Sequence, residues 1–381
     1  MYLRILAFSL IIISLACSKE NVRTELDDAI GVVPEITRID TGFEPSQIYD
    51  TRYGWIFISD KAGSFTRWDK NLVINGAVPM NGPQEAFVNR LITETPSGQL
   101  YRVFVDNGNQ MLLENLDPNG NNLALSMLLD TLRGGRISDV WAENDSLLFI
   151  TFTHKVSNSN DIHSFIYSYN LISKEIKKCH EFSEMIVCLA FTGNKETGYW
   201  MMLFWQTKPN NKLAQGSVFS FDTSWNVRHE FQFSDMSYGD FYSNRNGAIV
   251  MNGDGTADIF YPTEGFVMWQ GAYYGLTHFK LDPGGQVVNQ IFYPELYGHA
   301  IKDIIIKDQN VHVLSHETNG SNLTHHLSIS SFQLDGRLSF FKYLRNTVGP
   351  WSFAAILEAE GDHATIVAYE KKNSSLMKIS F

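Results

Sequence analysis

No apolar run in this 381-residue chain is long. The longest, Ile5 to Leu15, has 11 residues, and a helix that crosses a bilayer needs roughly 20. A membrane-spanning helix is therefore not expected there. Positive charge is in short supply: 30 Lys and Arg stand against 41 Asp and Glu, a formal net charge of −11. Without a basic run the chain has little with which to neutralise phosphates or anionic headgroups, so neither a nucleic-acid partner nor a polybasic membrane patch is expected. Cysteine is rare, with three in all. Two of them, Cys179 in "EIKKCHEF" and Cys188 in "MIVCLAF", fall in separate strand patterns. They read as two buried thiols, with a disulfide as the alternative, and two thiols alone are too few ligands for a zinc site. Sustained helical periodicity is missing. So are the sequence signatures of common catalytic sites: G-x-S-x-G, H-E-x-x-H, G-x-x-x-x-G-K-[ST], C-x-x-C and G-x-G-x-x-G. No catalytic residue, metal site or cofactor follows from the sequence.

What the chain does have begins at its start. "MYLRILAFSLIIISLA" carries one charge, Arg4, then the short apolar core, then small residues. That order is the pattern of a secretory signal peptide. The next residues, Leu15-Ala16-Cys17-Ser18, resemble the lipobox of bacterial lipoproteins. The resemblance implies cleavage before Cys17, acylation of Cys17 and a membrane partner held through acyl chains. Several chains grip a bilayer far more firmly than one. Ser18 stands where the resemblance would place an Asp as the inner-membrane retention signal, which implies the outer membrane of a Gram-negative cell. Lys19-Glu20 weakly resembles the charged signals of surface lipoproteins. Three segments result: a signal peptide over 1–16, an acylated cysteine and tether over 17–33, and a folded domain over 34–381. Without residues 1–16 the chain has 29 basic and 41 acidic residues, a net −12. At 13% aromatic residues it is rich enough to build a large core.

The domain reads as strand almost throughout, in short runs of Phe, Tyr, Ile and Val bounded by Gly, Asn and Asp. One element recurs: strand, polar turn, strand. It appears as "SFTRWDKNLVIN", "MLLENLDPNGNNLAL", "SFIYSYNLISKEIKK", "SVFSFDTSWNVRHEF", "THFKLDPGGQVVNQI" and "SISSFQLDGRLSFF". Two further strand candidates precede each copy. Units start near Ser46, Glu85, Arg136, Met185, Met236, His299 and Pro350, a period of about 51 residues, and four strands at such a period are the mark of a propeller blade. The last unit has three strands, and "PEITRID" near the start can supply the fourth. The expected fold is all-β: a β-propeller of seven four-stranded blades closed by the N-terminal strand. Six or eight blades, or two β-sandwiches, are the alternatives this spacing leaves open. "FKLDPGGQVV" resembles the strand–turn–strand repeat of bacterial propellers, and "NGPQEAF" resembles the interblade "GPxEF" loop of a six-bladed lipoprotein group. Together with the lipobox, these motifs resemble those of bacterial β-propeller lipoproteins, which implies a binding role at the cell envelope.

Three segments invite a chemical reading. "NGDGTAD" places Asn252, Asp254 and Asp258 at the spacing of a calcium loop, but Val250 and Tyr261 stand where its first and last carboxylates belong; a glycine-rich turn fits better. His312, His316, His325 and His326 crowd one unit, yet adjacent strand residues point to opposite faces, so they read as ordinary strand histidines. The fifth unit is the longest, and its extra segment "IFYPTEGFVMWQGAYYG" holds Phe260, Tyr261, Phe266, Trp269, Tyr273 and Tyr274. Insertions in repeat proteins map to loops on one face, often the binding face. Tyr261, Phe266, Trp269, Tyr273 and Tyr274 are the candidate ligand contacts, with Trp269 as anchor, suited to a glycan or protein ligand; packing of a larger blade is the plainer alternative. The expected function is a membrane-anchored binding scaffold. A carbohydrate-active hydrolase or lyase on the same fold is the alternative, although no carboxylate pair stands out.

Overall fold

The computed structural model describes residues 33–41, 44–60, 65–78, 92–106, 109–130, 135–155, 162–184, 186–205, 215–233, 247–267, 271–296, 299–317, 326–344, 351–370 and 373–380. They form seven four-stranded antiparallel sheets. In chain order, blade 1 is Pro45–Asp50, Trp55–Asp60, Phe65–Asp69 and Ile74–Val78; blade 2 is Ile92–Glu94, Leu100–Val105, Met111–Leu116 and Asn122–Leu129. Blade 3 is Arg136–Asn144, Leu147–Lys155, Ile162–Asn170 and Ile176–Phe182; blade 4 is Ile186–Asn194, Gly198–Trp205, Gln215–Phe221 and Val227–Phe233. Blade 5 is Ala248–Met251, Ala257–Val267, Gly271–Leu281 and Val287–Phe292; blade 6 is His299–Lys307, Asn310–Glu317, Leu327–Gln333 and Leu338–Tyr343. Blade 7 takes Trp351–Glu360, His363–Glu370 and Ser375–Ser380 from the end of the chain and Glu35–Asp40 from its start. Glu35 lies opposite Ser380 and Asp40 opposite Ser375, so "PEITRID" does complete the last sheet.

First strands touch first strands from blade to blade, for instance in blades 3 and 4, 4 and 5, and 6 and 7. They are the inner strands of a ring, and each fourth strand is outermost. The core lies between blades. Ile56, Ile58 and Trp68 of blade 1 pack on Phe353 and Val367 of blade 7, and Phe149 and Ile166 of blade 3 pack on Phe191 and Met201 of blade 4. This layering explains the sequence pattern. A middle strand such as Leu147–Lys155 is covered on both faces and reads as an apolar run, whereas the outer Ile176–Phe182 is more polar, with Lys177, Lys178 and Glu181 exposed. Cys179 and Cys188 are free thiols, the second buried. No helix among the described residues is long and apolar enough to cross a membrane.

The six recurring sequence elements are the third and outer strands of blades 1 to 6, and the turns of blades 1, 2 and 4 share one construction. In "DPNGN" the Asp117 carboxylate accepts hydrogen bonds from the amides of Asn119 and Asn121, both at 2.8 Å, and Gly120 sits at φ +82°. Such an Asx turn is local in origin, because the side chain satisfies its own backbone. The same bonds recur around Asp69 and Asp222. The left-handed position is glycine in blades 2, 5 and 6 but Trp225 in blade 4, at φ +68°. A large residue there costs about 1–2 kcal/mol. The indole recovers it by packing: it stacks on Tyr199 at 4.5 Å between centroids and 11° between planes, and lies against Phe149 and Phe221.

Candidate functional site

Blade 5 departs from its neighbours. Its second and third strands pair without a break from Ala257 opposite Leu281 to Val267 opposite Gly271. The inner strand covers only Ala257 to Phe260, and the outer strand only Thr277 to Leu281. From Pro262 opposite Leu276 onward, six residue pairs have no third strand beside them among the described residues. The segment expected as an inserted loop is instead a two-stranded ribbon, because it continues the strand alternation on either side of its turn. Its base is buried at Pro262, Thr263, Gly275 and Leu276.

The candidate contacts divide across this ribbon. Tyr261 is fully buried and stacks on Phe279 at 5.9 Å within the cluster that joins blades 4 and 5, beside Leu189 and Trp200. It is a core residue and offers no surface for stacking, which corrects the expectation from sequence. Phe260 is likewise enclosed, 4.2 Å from the His278 ring. Phe266, Tyr273 and Tyr274 lie in the free ribbon, opposite Ala272, Gly265 and Glu264 respectively. Trp269, Cys17 and the "NGPQEAF" segment fall outside the described residues.

At the other end of the same two strands sits a network that the sequence does not announce. Asp258 Oδ1 lies 2.7 Å from His278 Nε2, and His278 Nδ1 lies 3.1 Å from the Tyr293 hydroxyl. The Asn252 side-chain amide donates to Asp258 Oδ2 at 2.6 Å and to Thr256 Oγ1 at 2.9 Å. Burial alone would raise the Asp258 carboxyl; the hydrogen bonds from His278 and Asn252 and the positive charges of His278 and Lys280 outweigh it and hold the carboxyl low. Burial pushes the Tyr293 phenol up, and Asp258 adds to the effect. Asp258, His278 and Tyr293 are all shut off from solvent, so the triad braces the blade. The calcium-like spacing is also accounted for: Asp258 serves His278, while Asp254 accepts from the amide and hydroxyl of Thr256 within the turn.

Blade 6 carries a second buried network. His299 Nδ1 is 3.1 Å from Ser328 Oγ and 3.3 Å from Ser315 Oγ, the two serines are 2.8 Å apart, and the Tyr343 hydroxyl is 3.3 Å from His299 Nε2. One imidazole thus ties together all four strands of the sheet. His312 is buried opposite Ser331, and His316 stands opposite Leu327. Burial, with Lys307 adding to it, lowers the His312 imidazole. His325 is outside the described residues. Among the described residues, no three His, Cys, Asp or Glu side chains gather as a metal ion would require.

Neither a family model nor a curated protein matches the sequence. Solved structures do match in shape. The β-propeller domain of Cps50 (Swd1) from Myceliophteria thermophila superposes at a TM-score of 0.50 and 9% identity, over 89% of this chain and 98% of that one. BBS1N, solved in complex with ARL6DN, gives 0.52 and 12%, over 92% and 97%. YCF48 bound to D1 peptide gives 0.51 and 10%, over 92% and 96%. The fold is a β-propeller. At these identities the likeness concerns the fold alone, and the propeller's function has to be argued from its own residues.

Proposed function

We propose that this protein is an acylated outer-membrane lipoprotein whose propeller acts as a scaffold that binds a protein ligand. The observation that carries the binding role is the blade 5 ribbon, a strand pair that outruns the described parts of both its neighbours. Two of the solved propellers similar in fold have protein or peptide partners in their structures, ARL6DN and the D1 peptide, which supports a protein over a small molecule. The carbohydrate-active reading is weaker, since Phe260 and Tyr261 of its aromatic set lie in the core.

Attachment and ribbon would lie on opposite faces. Glu35 starts its strand at the end where Ser380 finishes, on the side of the third-to-outer turns. The ribbon tip connects a second strand to a third, on the other side. An anchor at Cys17, joined through the tether, would hold the turn side toward the bilayer and leave the ribbon facing away.

Two variants test the two halves separately. Cys17→Ala is expected to leave the outer-membrane fraction after a high-salt wash; retention there would refute the acyl anchor. Replacing residues 264–274 by a two-residue turn should abolish capture of the partner by cross-linking in intact cells, while the melting transition stays cooperative. Unchanged capture would remove the ribbon from the binding site.

A further inference from the structure

We propose that the N-terminal strand of blade 7, Glu35–Asp40, is a latch, and that the edge it covers, Ser375–Ser380, is a site for an extended peptide of a partner protein. In blades 1 to 6 a turn of four or five residues joins the outer strand to its sheet neighbour. In blade 7 that link is missing, because Glu35–Asp40 comes from the other end of the chain. Its hold on the sheet is the six-pair ladder from Glu35 opposite Ser380 to Asp40 opposite Ser375, together with two isoleucines. None of its six residues is buried. Ile36 and Ile39 are half-buried, Ile36 against the cluster shared with blade 6 and Ile39 against the cluster shared with blade 1. Glu35, Thr37, Arg38 and Asp40 are exposed.

The seat is fixed independently of the latch. Ser375–Ser380 pairs along its whole length with the strand on its other side, from Thr365 opposite Ser380 to Glu370 opposite Ser375. Its side chains Leu376, Met377 and Ile379 are buried in the clusters on both faces of the blade. Departure of the latch therefore uncovers a row of backbone donors and acceptors on a strand that stays in place, which is the template that strand addition uses. The seat also specifies the peptide. Opposed residues share a face and successive residues alternate, so Ile36 beside Ile379 and Ile39 beside Leu376 put one apolar side chain on each face of the sheet. A matching segment carries two apolar residues three positions apart with polar residues between them. The latch itself is the competitor. Residues 41–44 join it to Pro45, and so short a connection keeps it near its seat at an effective concentration on the order of millimolar. A free peptide binds in proportion to the fraction of chains in which the latch is open.

The test uses the full chain in detergent and a fluorescent peptide of residues 33–41, VPEITRIDT. Ile36→Ser combined with Ile39→Ser loosens the latch, and by raising the open fraction it should tighten peptide binding about tenfold or more over the parent chain. A peptide with serine in place of both isoleucines should not bind. Thr37→Cys and Lys378→Cys, at opposed positions, added to the loosened chain should block binding when oxidised and restore it when reduced. In the parent chain, hydrogen exchange should release the amides between latch and seat together, ahead of those between the seat and His363–Glu370. That measurement decides on the latch even where the serine variant fails to fold. Absence of binding to a folded loosened chain, or binding that survives the oxidised lock, overturns the edge as a peptide site. Latch amides that exchange only with global unfolding overturn the latch.

Discussion

Blades 5 and 6 each close around a buried histidine, but with different partners. In blade 5 His278 bridges a carboxylate and a phenol; in blade 6 His299 meets two serines and a tyrosine. A hydroxyl can turn to donate or accept, so a hydroxyl network adapts to a lost member. A buried carboxylate accepts only, and its charge has to be answered by fixed donors. The two sheets are thus braced to a similar degree of burial by networks of unequal rigidity, and the charged one is the more exposed to failure.

The largest effect should come from breaking the charged network. Asp258→Ala strands the side chains of His278 and Asn252 and is expected to cost about 3–5 kcal/mol in urea unfolding, the scale for removing one partner of a buried pair. Ser328→Ala in blade 6 should cost about 1–3 kcal/mol, the scale for one unsatisfied buried group, since Ser315 remains within reach of His299. Equal losses would mean that the carboxylate adds nothing beyond its hydrogen bonds.

The smallest effect, and the most diagnostic, is in pH. The Asp258 carboxyl is held low, so its stabilisation is complete above the unfolded carboxyl value of about 4 and is lost as pH falls through the lower folded value. The turn aspartates Asp117, Asp222 and Asp335 are held low as well and share that window. The comparison of the parent with Asp258→Asn therefore isolates the network, and the variant should show the shallower loss of stability below pH 4. His180 and His312 are lowered chiefly by burial. Their contribution is complete above about pH 6.5 and fades as pH falls below it. Both proteins should share that earlier decline, and so should Ser328→Ala.

The same contrast marks how far the fold could be read from sequence. Turns such as "DPNGN" and "DPGGQ" are written locally, since one aspartate satisfies the amide four residues on and, in the first, the amide two residues on as well, and the strands around them follow. Closure was legible because a final unit of three strands needs a fourth. Burial of Tyr261 was not: Leu189 and Trp200 of blade 4 enclose it, and nothing near Tyr261 encodes their approach. Nor was the pairing of Asp258 with His278, 20 residues apart, because it depends on strand register. The glycines beside Asp258 suggested a cation loop only because the same residue types build tight turns. Trp225 shows the converse: an aromatic residue occupies a glycine's conformation because packing overrode local preference.

The closure of blade 7 has a consequence for engineering. Glu35 and Ser380 face each other across a ladder of six pairs, where the other blades have a covalent turn. A linker copying the turn Asp117–Asn121 would span that gap and make the backbone a circle. New ends could then be cut at an exposed turn such as Lys307–Asn310, and permutation at exposed, closely spaced sites is the kind that folded domains tolerate. Such a permutant would keep every sheet and relocate the chain ends, so that where the ring is opened and how it is folded become independent variables.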